Sequence, residues 1–379
     1  VRATFTLGRI AGIRVGVHWS VVLIFALIAV GLAQGELPDA VPGRARGLYW
    51  VAGLAAAVVF FGSLLAHELA HAVVARRNGV SADDIVLWLL GGMARLRSEA
   101  SSPGAELRIA GVGPLVSLVL GGLFVLATWL VHVGSGPELL VQVLAWLAGI
   151  NLLLAVFNSL PAAPLDGGRL LRALLWWRTG DRLRATAGAT AAGRALGLLL
   201  IVLGFVAFLR GGGFGGLWLA LIGWFLIGAA TAEARQAQVR GVLTGVPVRN
   251  AMTRDPVVVP ESLDVAHMLD NPFYRHAAFP VTGASGEPVG LVTLRDARQA
   301  RPEGGGAVSV GEVMVPLSRL VVVGPDDSLA DLLPRMEPGP ENRVLVTEDG
   351  RLSGILSLSD VSRTVRYLAE TAPRPGRGR

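Results

Sequence analysis

Two textures divide the chain. Before about residue 232, long apolar stretches are separated by short arginine-bearing segments. From about residue 239, apolar positions come in short runs broken by Gly, Pro and Asp. A helix needs roughly 20 apolar residues to cross a bilayer. On that criterion the pattern predicts six spans, at 17–33, 49–74, 107–131, 139–160, 185–209 and 214–231. Arg194 interrupts the fifth near its start. The first is too long for a secretory h-region and no clear cleavage site follows it, so it reads as a retained span. The later texture contains two similar segments. One runs "VRNAMTRDPVVVPESLDVAHML" then "AAFPVTGASGEPVGLVTLRDARQA"; the other runs "VGEVMVPLSRLVVVGPDDSLADLL" then "RVLVTEDGRLSGILSLSDVSRTVRYL". Each reads strand, helix, two strands, helix, with turns at Gly286 and Gly350 between the paired strands.

Composition sharpens this division. The 379 residues are 52% hydrophobic and 16% charged, with mean hydropathy +0.56, whereas a soluble domain is about a quarter charged. There is no cysteine, which excludes disulfides, thiolate metal ligands and thiol nucleophiles. Any metal site must use His, Asp and Glu. The net charge is +6 and every basic residue is arginine. The arginines form no single block, which argues against nucleic acid, and they gather at span ends. Arg2, Arg9 and Arg14 precede the first span, Arg76, Arg77, Arg95, Arg97 and Arg108 follow the second, and Arg169, Arg172, Arg178, Arg182 and Arg184 follow the fourth. Arg235 and Arg240 follow the sixth; Arg44 and Arg46 are the exception. This balance places both termini in the cytoplasm.

The second span ends in "SLLAHELAHAVVARR". His67 and His71 are four apart and share a helix face. Two imidazoles at that spacing can hold one tetrahedral zinc. Glu68 stands beside the first, where it can take a proton from water. Polar residues facing headgroups at a helix end are the bland alternative, but ionisable groups in a span are costly and point to function. His18 and His132 lie near span ends and read as interfacial anchors. A catalytic zinc needs a third protein ligand and an open position. The segment "NSLPAAPLDGGR" at 158–169 offers one. Pro161 and Pro164 break the fourth span, and Asp166 follows the break. The alternative is an ordinary loop in which Asp166 caps a helix at 169–177. By the arginine balance, His67, His71, Asn158 and Asp166 fall at similar depth on the cytoplasmic side.

Taken together, "HELAH" at 67–71 and "NSLPAAPLDGG" at 158–168 resemble the site-2 protease family of intramembrane zinc metalloproteases, in its bacterial branch with C-terminal CBS domains. "LLGGMARL" at 89–96 and "AGVGPLVSLVL" at 110–120 match as well. The family usually has Ala-Gly-Pro in the last piece, where this chain reads Gly111-Val112-Gly113-Pro114. The resemblance implies a polytopic α-helical membrane domain of about six spans with a membrane-dipping β-hairpin, then a soluble α/β tandem CBS pair. It implies one Zn2+ held by His67, His71 and Asp166, Glu68 as general base, and Asn158 holding the oxyanion or the substrate backbone. Gly91 and Gly92 would lie in the hairpin whose edge binds an unwound substrate segment.

The implied domains are 1–238 for the protease, 239–303 and 304–370 for the CBS domains, and 371–379 for a basic, disordered tail. "RPEGGGA" at 301–307 links the repeats. The CBS resemblance implies an adenosine nucleotide (ATP, ADP or AMP), with Thr293, Asp296, Ser357 and Asp360 at its hydroxyls and phosphates; each Asp could equally be a helix cap. It also implies a homodimer through the CBS domains. The substrate would be a single-pass membrane protein, such as an anti-sigma factor, in a bacterial plasma membrane. A CBS-regulated transporter or channel, and a catalytically silent scaffold, are the alternatives. The membrane half shows no inverted repeat of the kind a transporter would carry, and the intact His, Glu, His and Asp set argues against a silent scaffold.

Overall fold

The fold was analysed in a computed structural model, which describes residues 3–89, 91–96, 100–300, 307–336 and 343–371. Most of the linker at 301–307 and all but the first residue of the tail at 371–379 lie outside the described residues. The chain forms two compact units, Val1–Ala237 and Gln238–Arg379.

The first unit opens with strands β1 (Phe5–Ile10) and β2 (Ile13–Val17). Helix α1 (Ser20–Ala40) follows, widened by a π turn at Leu32–Glu36. Helix α2 (Arg46–Arg77) then leads into the hairpin β3 (Ala82–Trp88) and β4 (Gly91–Leu96). The rest is helical: α3 (Pro103–Val133), α4 (Glu138–Ser159), α5 (Asp166–Thr179), α6 (Arg182–Ala207) and α7 (Gly213–Leu243). Six helical stretches among the described residues are long and apolar enough to span a membrane; α5 is not among them. Arg194 does not break α6, which is continuous through it.

Local chemistry sets the helix ends. The Ser102 hydroxyl accepts from the Ala105 amide and opens α3, and Asp181 does the same for α6 through the Arg184 amide. Gly180 closes α5 with φ near +68°, a conformation costly for residues with a Cβ. Small residues set the packing. A Cβ on Gly204 would lie 2.5 Å from the Gly216 carbonyl oxygen, and one on Gly197 would lie 2.6 Å from that of Gly223. Two glycines seven apart on each helix thus let α6 and α7 touch through their backbones, as small residues do in lipid. Large side chains such as Leu198, Leu199, Phe205 and Trp224 point outward.

The four strands form one sheet in the order β1-β2-β3-β4, with β2 and β3 parallel and the other pairs antiparallel. Ile13, Ala82 and Ile85 of this sheet pack with Ala72 of α2, and with Leu65, Leu69 and Val73 around them. The sheet is thereby seated on the helix that carries "HELAH". His18 is half-buried: its Nδ1 lies 2.8 Å from the Ser20 hydroxyl, which also accepts from the Leu89 amide at 3.0 Å.

The second unit holds two four-stranded sheets. Its strands are β5 (Thr253–Arg254), β6 (Val259–Pro260), β7 (Ala278–Thr282), β8 (Pro288–Thr293), β9 (Val315–Pro316), β10 (Val321–Val323), β11 (Val344–Glu348) and β12 (Arg351–Leu356). They order as β10-β11-β12-β5 and β6-β7-β8-β9. The repeats exchange strands: β5, from the first repeat, completes the sheet of the second, and β9 does the reverse. Helix α8 (Val265–Asp270) separates β6 from β7, α9 (Leu294–Gln299) follows β8, and α10 (Val310–Val313) precedes β9. Helix α11 (Leu329–Leu332) follows β10, and α12 (Leu358–Thr371) follows β12.

Candidate metal centre

The candidate metal centre is built from two segments 95 residues apart in sequence. His67 and His71 are buried on one face of α2, at 3% and 6% exposure. Asp166 begins α5. Its Oδ2 lies 3.2 Å from Nε2 of His67 and 3.2 Å from Nε2 of His71, and the two Nε2 atoms are 3.1 Å apart. A tetrahedron with ligand bonds of 2.0–2.1 Å has edges of about 3.3 Å. The three donor atoms therefore already sit close to the corners of one face.

Proton placement gives the same answer. Nδ1 of His71 lies 2.6 Å from the Ile109 carbonyl oxygen, which can only accept. Nδ1 of His67 lies 2.9 Å from the Ser117 hydroxyl. With both Nδ1–H groups donating outward, both Nε2 lone pairs face inward. Burial raises the Asp166 carboxyl and contact with the two imidazoles lowers it by more, so the carboxylate is the form that meets them. Two lone pairs and a carboxylate oxygen at such separations call for a cation between them. Among the described residues this is the one cluster of His, Asp and Glu with ligand spacing.

The loop before α5 explains how Asp166 arrives there. The fourth span ends at Ser159, where the prolines stop it. A Cβ on Gly167 would lie 2.2 Å from the Leu160 carbonyl oxygen, and one on Gly168 would lie 2.3 Å from the Ala163 amide. Both glycines are therefore needed to fold the loop onto the start of α5. Asp166 is not the cap of a helix at 169–177. Leu165 stands at the cap position, and the Asp166 carboxylate turns to the histidines instead.

Helix α3 supplies parts whose roles the sequence alone did not reveal. A Cβ on Gly113 would lie 2.1 Å from Nε2 of His71. Gly113 therefore gives the histidines their room, although its motif departs from the family pattern at Val112. Glu106, Ile109, Gly113 and Ser117 recur at three- and four-residue spacing, which puts them on one face. Glu106 is fully buried and accepts from Arg172 of α5, whose Nε is 2.6 Å away. Arg172 also reaches Glu233 of α7 at 3.2 Å. That ion pair fixes α3 against the helix carrying Asp166. The readable signal was a glutamate and a serine on one stripe of a mostly apolar helix.

Glu68 and the hairpin meet directly. A Cβ on Gly92 would lie 2.1 Å from Cγ of Glu68, so the missing side chain is what lets Glu68 lie across β4. Gly91 pairs with Trp88 at the hairpin end, at φ +127°. Strand β4 is at the sheet edge and has no partner beyond β3 among the described residues. Asn158 is half-buried near the end of α4, and its side chain makes no hydrogen bond among the described residues. Thr293 and Asp296 bond to each other at the start of α9, and Ser357 and Asp360 do so at the start of α12. All four belong to the second unit, whereas His67, His71 and Asp166 belong to the first.

Comparison with known proteins bears on this geometry. The chain is 45% identical to Rip3 of Mycobacterium tuberculosis, named as a zinc metalloprotease, over 99% of this chain and 96% of that protein. This chain belongs to the site-2 protease family. The Peptidase family M50 profile matches this site-2 protease at 55–136 and 135–203, and the CBS domain profile matches at 248–303 and 310–367. Zinc metalloprotease MJ0392 of Methanocaldococcus jannaschii is 28% identical over 95% of each chain. The solved site-2 protease from the same organism is 29% identical, with a TM-score of 0.43, and covers 61% of this chain and 95% of that one. The protein is a zinc-dependent metalloendopeptidase with a tandem CBS tail.

Proposed function

We propose that this protease cuts a peptide bond within or near the membrane-spanning segment of a single-pass protein, such as an anti-sigma-factor-like regulator. The observation that carries the reading is the convergence of His67, His71 and Asp166, with the neighbouring Glu68 lying across a strand edge that has no partner among the described residues. His67, His71 and Asp166 hold the zinc, which, when bound, polarises the scissile carbonyl and acidifies water.

The chain's own groups do the rest. A transmembrane helix hides its carbonyls in its own hydrogen bonds and must unwind to be cut. Adding the unwound segment to the free edge of β4 satisfies the released backbone groups. Gly91 and Gly92 keep that edge clear of side chains beside Glu68. Glu68 takes the proton of the attacking water and gives it to the leaving amine nitrogen. Asn158 donates from its amide to the developing oxyanion or to the substrate backbone.

The protease part extends over 1–238, with both termini cytoplasmic and the span bundle in a bacterial plasma membrane. The CBS domains at 239–303 and 304–370 bind an adenosine nucleotide, regulate cleavage and pair the chain as a homodimer.

The test is cleavage of single-pass reporters by the full-length protein in liposomes, with the cut mapped by mass spectrometry. The account expects a cut within or next to the apolar segment. It also expects Glu68→Gln to retain zinc while losing about 1,000-fold in rate. Undiminished turnover in Glu68→Gln would remove the assigned base. Metal-dependent ion flux without proteolysis would overturn the reading as a whole.

A further inference from the structure

Three helices of the first unit meet at one guanidinium. Arg172 lies on α5, about 9 Å along the helix from Asp166. Its Nε and Nη2 both donate to Oε1 of Glu106 on α3, Nε at 2.6 Å. From the other end of the fork, Nη1 donates to Oε1 of Glu233 on α7 at 3.2 Å. The Arg172 and Glu106 side chains are 14% and 1% exposed, and that of Glu233 is 28% exposed. The second oxygen of Glu106 is buried and accepts no hydrogen bond among the described residues. Arg172 is therefore the one partner of the Glu106 carboxylate among them.

The groups joined in this way all bear on the metal cluster. Glu106 shares the face of α3 whose Ile109 carbonyl and Ser117 hydroxyl meet Nδ1 of the two imidazoles. Arg172 shares a helix of 14 residues with Asp166. Glu233 follows the fully buried Ala230 by three residues, on the same face of α7. Gly193 of α6 stands against both Ala230 and the loop that delivers Asp166. A Cβ there would collide with the Ala163 carbonyl oxygen and lie 3.1 Å from Cβ of Ala230. The Ala163 amide also donates to the Ala189 carbonyl of α6 at 3.2 Å. Helices α6 and α7 supply no donor atom to the cluster, yet they brace its third member.

A carboxylate with a single partner and a bare buried oxygen is costly, and removing that partner leaves an unpaired charge inside the bundle. The helices then shift until the charge finds water or another donor. Helix α5 is the piece free to move, because it is short and is not one of the spans. Rolling it about its axis carries Asp166 along. Metal ligands tolerate only about 0.5 Å of misplacement, so a small roll separates the carboxylate from the imidazoles.

We propose that Arg172 is a positioning residue for the third member of the metal cluster: gripped by Glu106 and Glu233, it sets the roll of α5 and with it the point where the Asp166 carboxylate meets His67 and His71. The rigid fork suits this task, since a lysine carries a point charge on a flexible stem. This rests on the reading that His67, His71 and Asp166 hold zinc.

Chelator competition for zinc on the full-length protein in detergent tests it, with the thermal midpoint and the visible spectrum of the cobalt-loaded protein measured alongside. Arg172→Met keeps most of the side-chain length and removes the charge. It should weaken zinc by about 10–100-fold and shift the cobalt bands. Arg172→Lys returns the charge without the fork and should recover part of that loss. Glu233→Gln leaves the Glu106 pair in place and should weaken zinc by about 3–10-fold, at the low end for such outer contacts. A lowered midpoint in folded Arg172→Met with wild-type zinc affinity and an unchanged cobalt spectrum would overturn the proposal, because the clamp would then hold only the fold. If Arg172→Met does not fold, wild-type affinity in both Glu106→Gln and Glu233→Gln would overturn it equally. Wild-type zinc affinity in Asp166→Ala would instead remove the reading on which it rests.

Discussion

The two units differ in the balance of small and large residues they bury and in how many large apolar side chains they leave outside. In the first, alanines such as Ala56, Ala57, Ala72, Ala110, Ala155 and Ala189 are buried beside fewer large side chains such as Leu37, Ile109 and Leu147, while Leu123, Trp129, Val156, Leu198 and Trp224 face outward. In the second, Met268, Phe279, Leu291, Leu329, Leu345 and Leu356 are fully buried. The reason is the solvent. Lipid gives no reward for burying a leucine, so the bundle is held by close backbone approach and polar contacts. Water does reward it, so the tail is held by its large apolar core. The difference also separates their tasks. A lipid-facing bundle of small residues can bring two imidazoles, a carboxylate and an arginine–glutamate pair together inside, each with a partner.

Substitutions can break this contrast, and the largest effect belongs to the bundle. Gly113→Val puts a side chain where Nε2 of His71 stands and should abolish zinc binding, measured by elemental analysis of the detergent-purified protein. Retained zinc there would mean the histidines do not meet the metal through Nε2. Next comes the tail. Leu345→Ala should cost about 2–5 kcal/mol of tail stability, seen as a lower denaturation midpoint, with zinc content unchanged. A fall in zinc would show that the units do not bury independently. Smallest is Ser117→Ala, which removes the hydroxyl at Nδ1 of His67. It should weaken zinc by about 10–100-fold in a chelator competition, with folding intact. An unchanged affinity would mean Ser117 does not orient the ring.

Sequence made the spans, their breaks and the members of the His67, His71 and Asp166 cluster legible, because each has a strong local cause. Apolar length marks a span, proline marks its end, and two histidines four apart share a face whatever surrounds them. Distance in sequence hid the rest. That the Ile109 carbonyl and the Ser117 hydroxyl orient the imidazoles depends on how α2 and α3 cross. The empty places at Gly92 and Gly113 matter only because Glu68 and His71 occupy them. The contact of His18 with Ser20, and of Ser20 with the Leu89 amide, was likewise out of reach.

The central claim is that segments far apart in sequence make one metal centre, and Asp166 tests it most directly. Zinc per chain should be compared between wild type and Asp166→Ala, both purified in detergent and both shown to be folded. The account predicts about one zinc per chain in wild type and much less in the variant. Equal zinc in the two would contradict it, because His67 and His71 would then hold the metal without the loop that follows the fourth span.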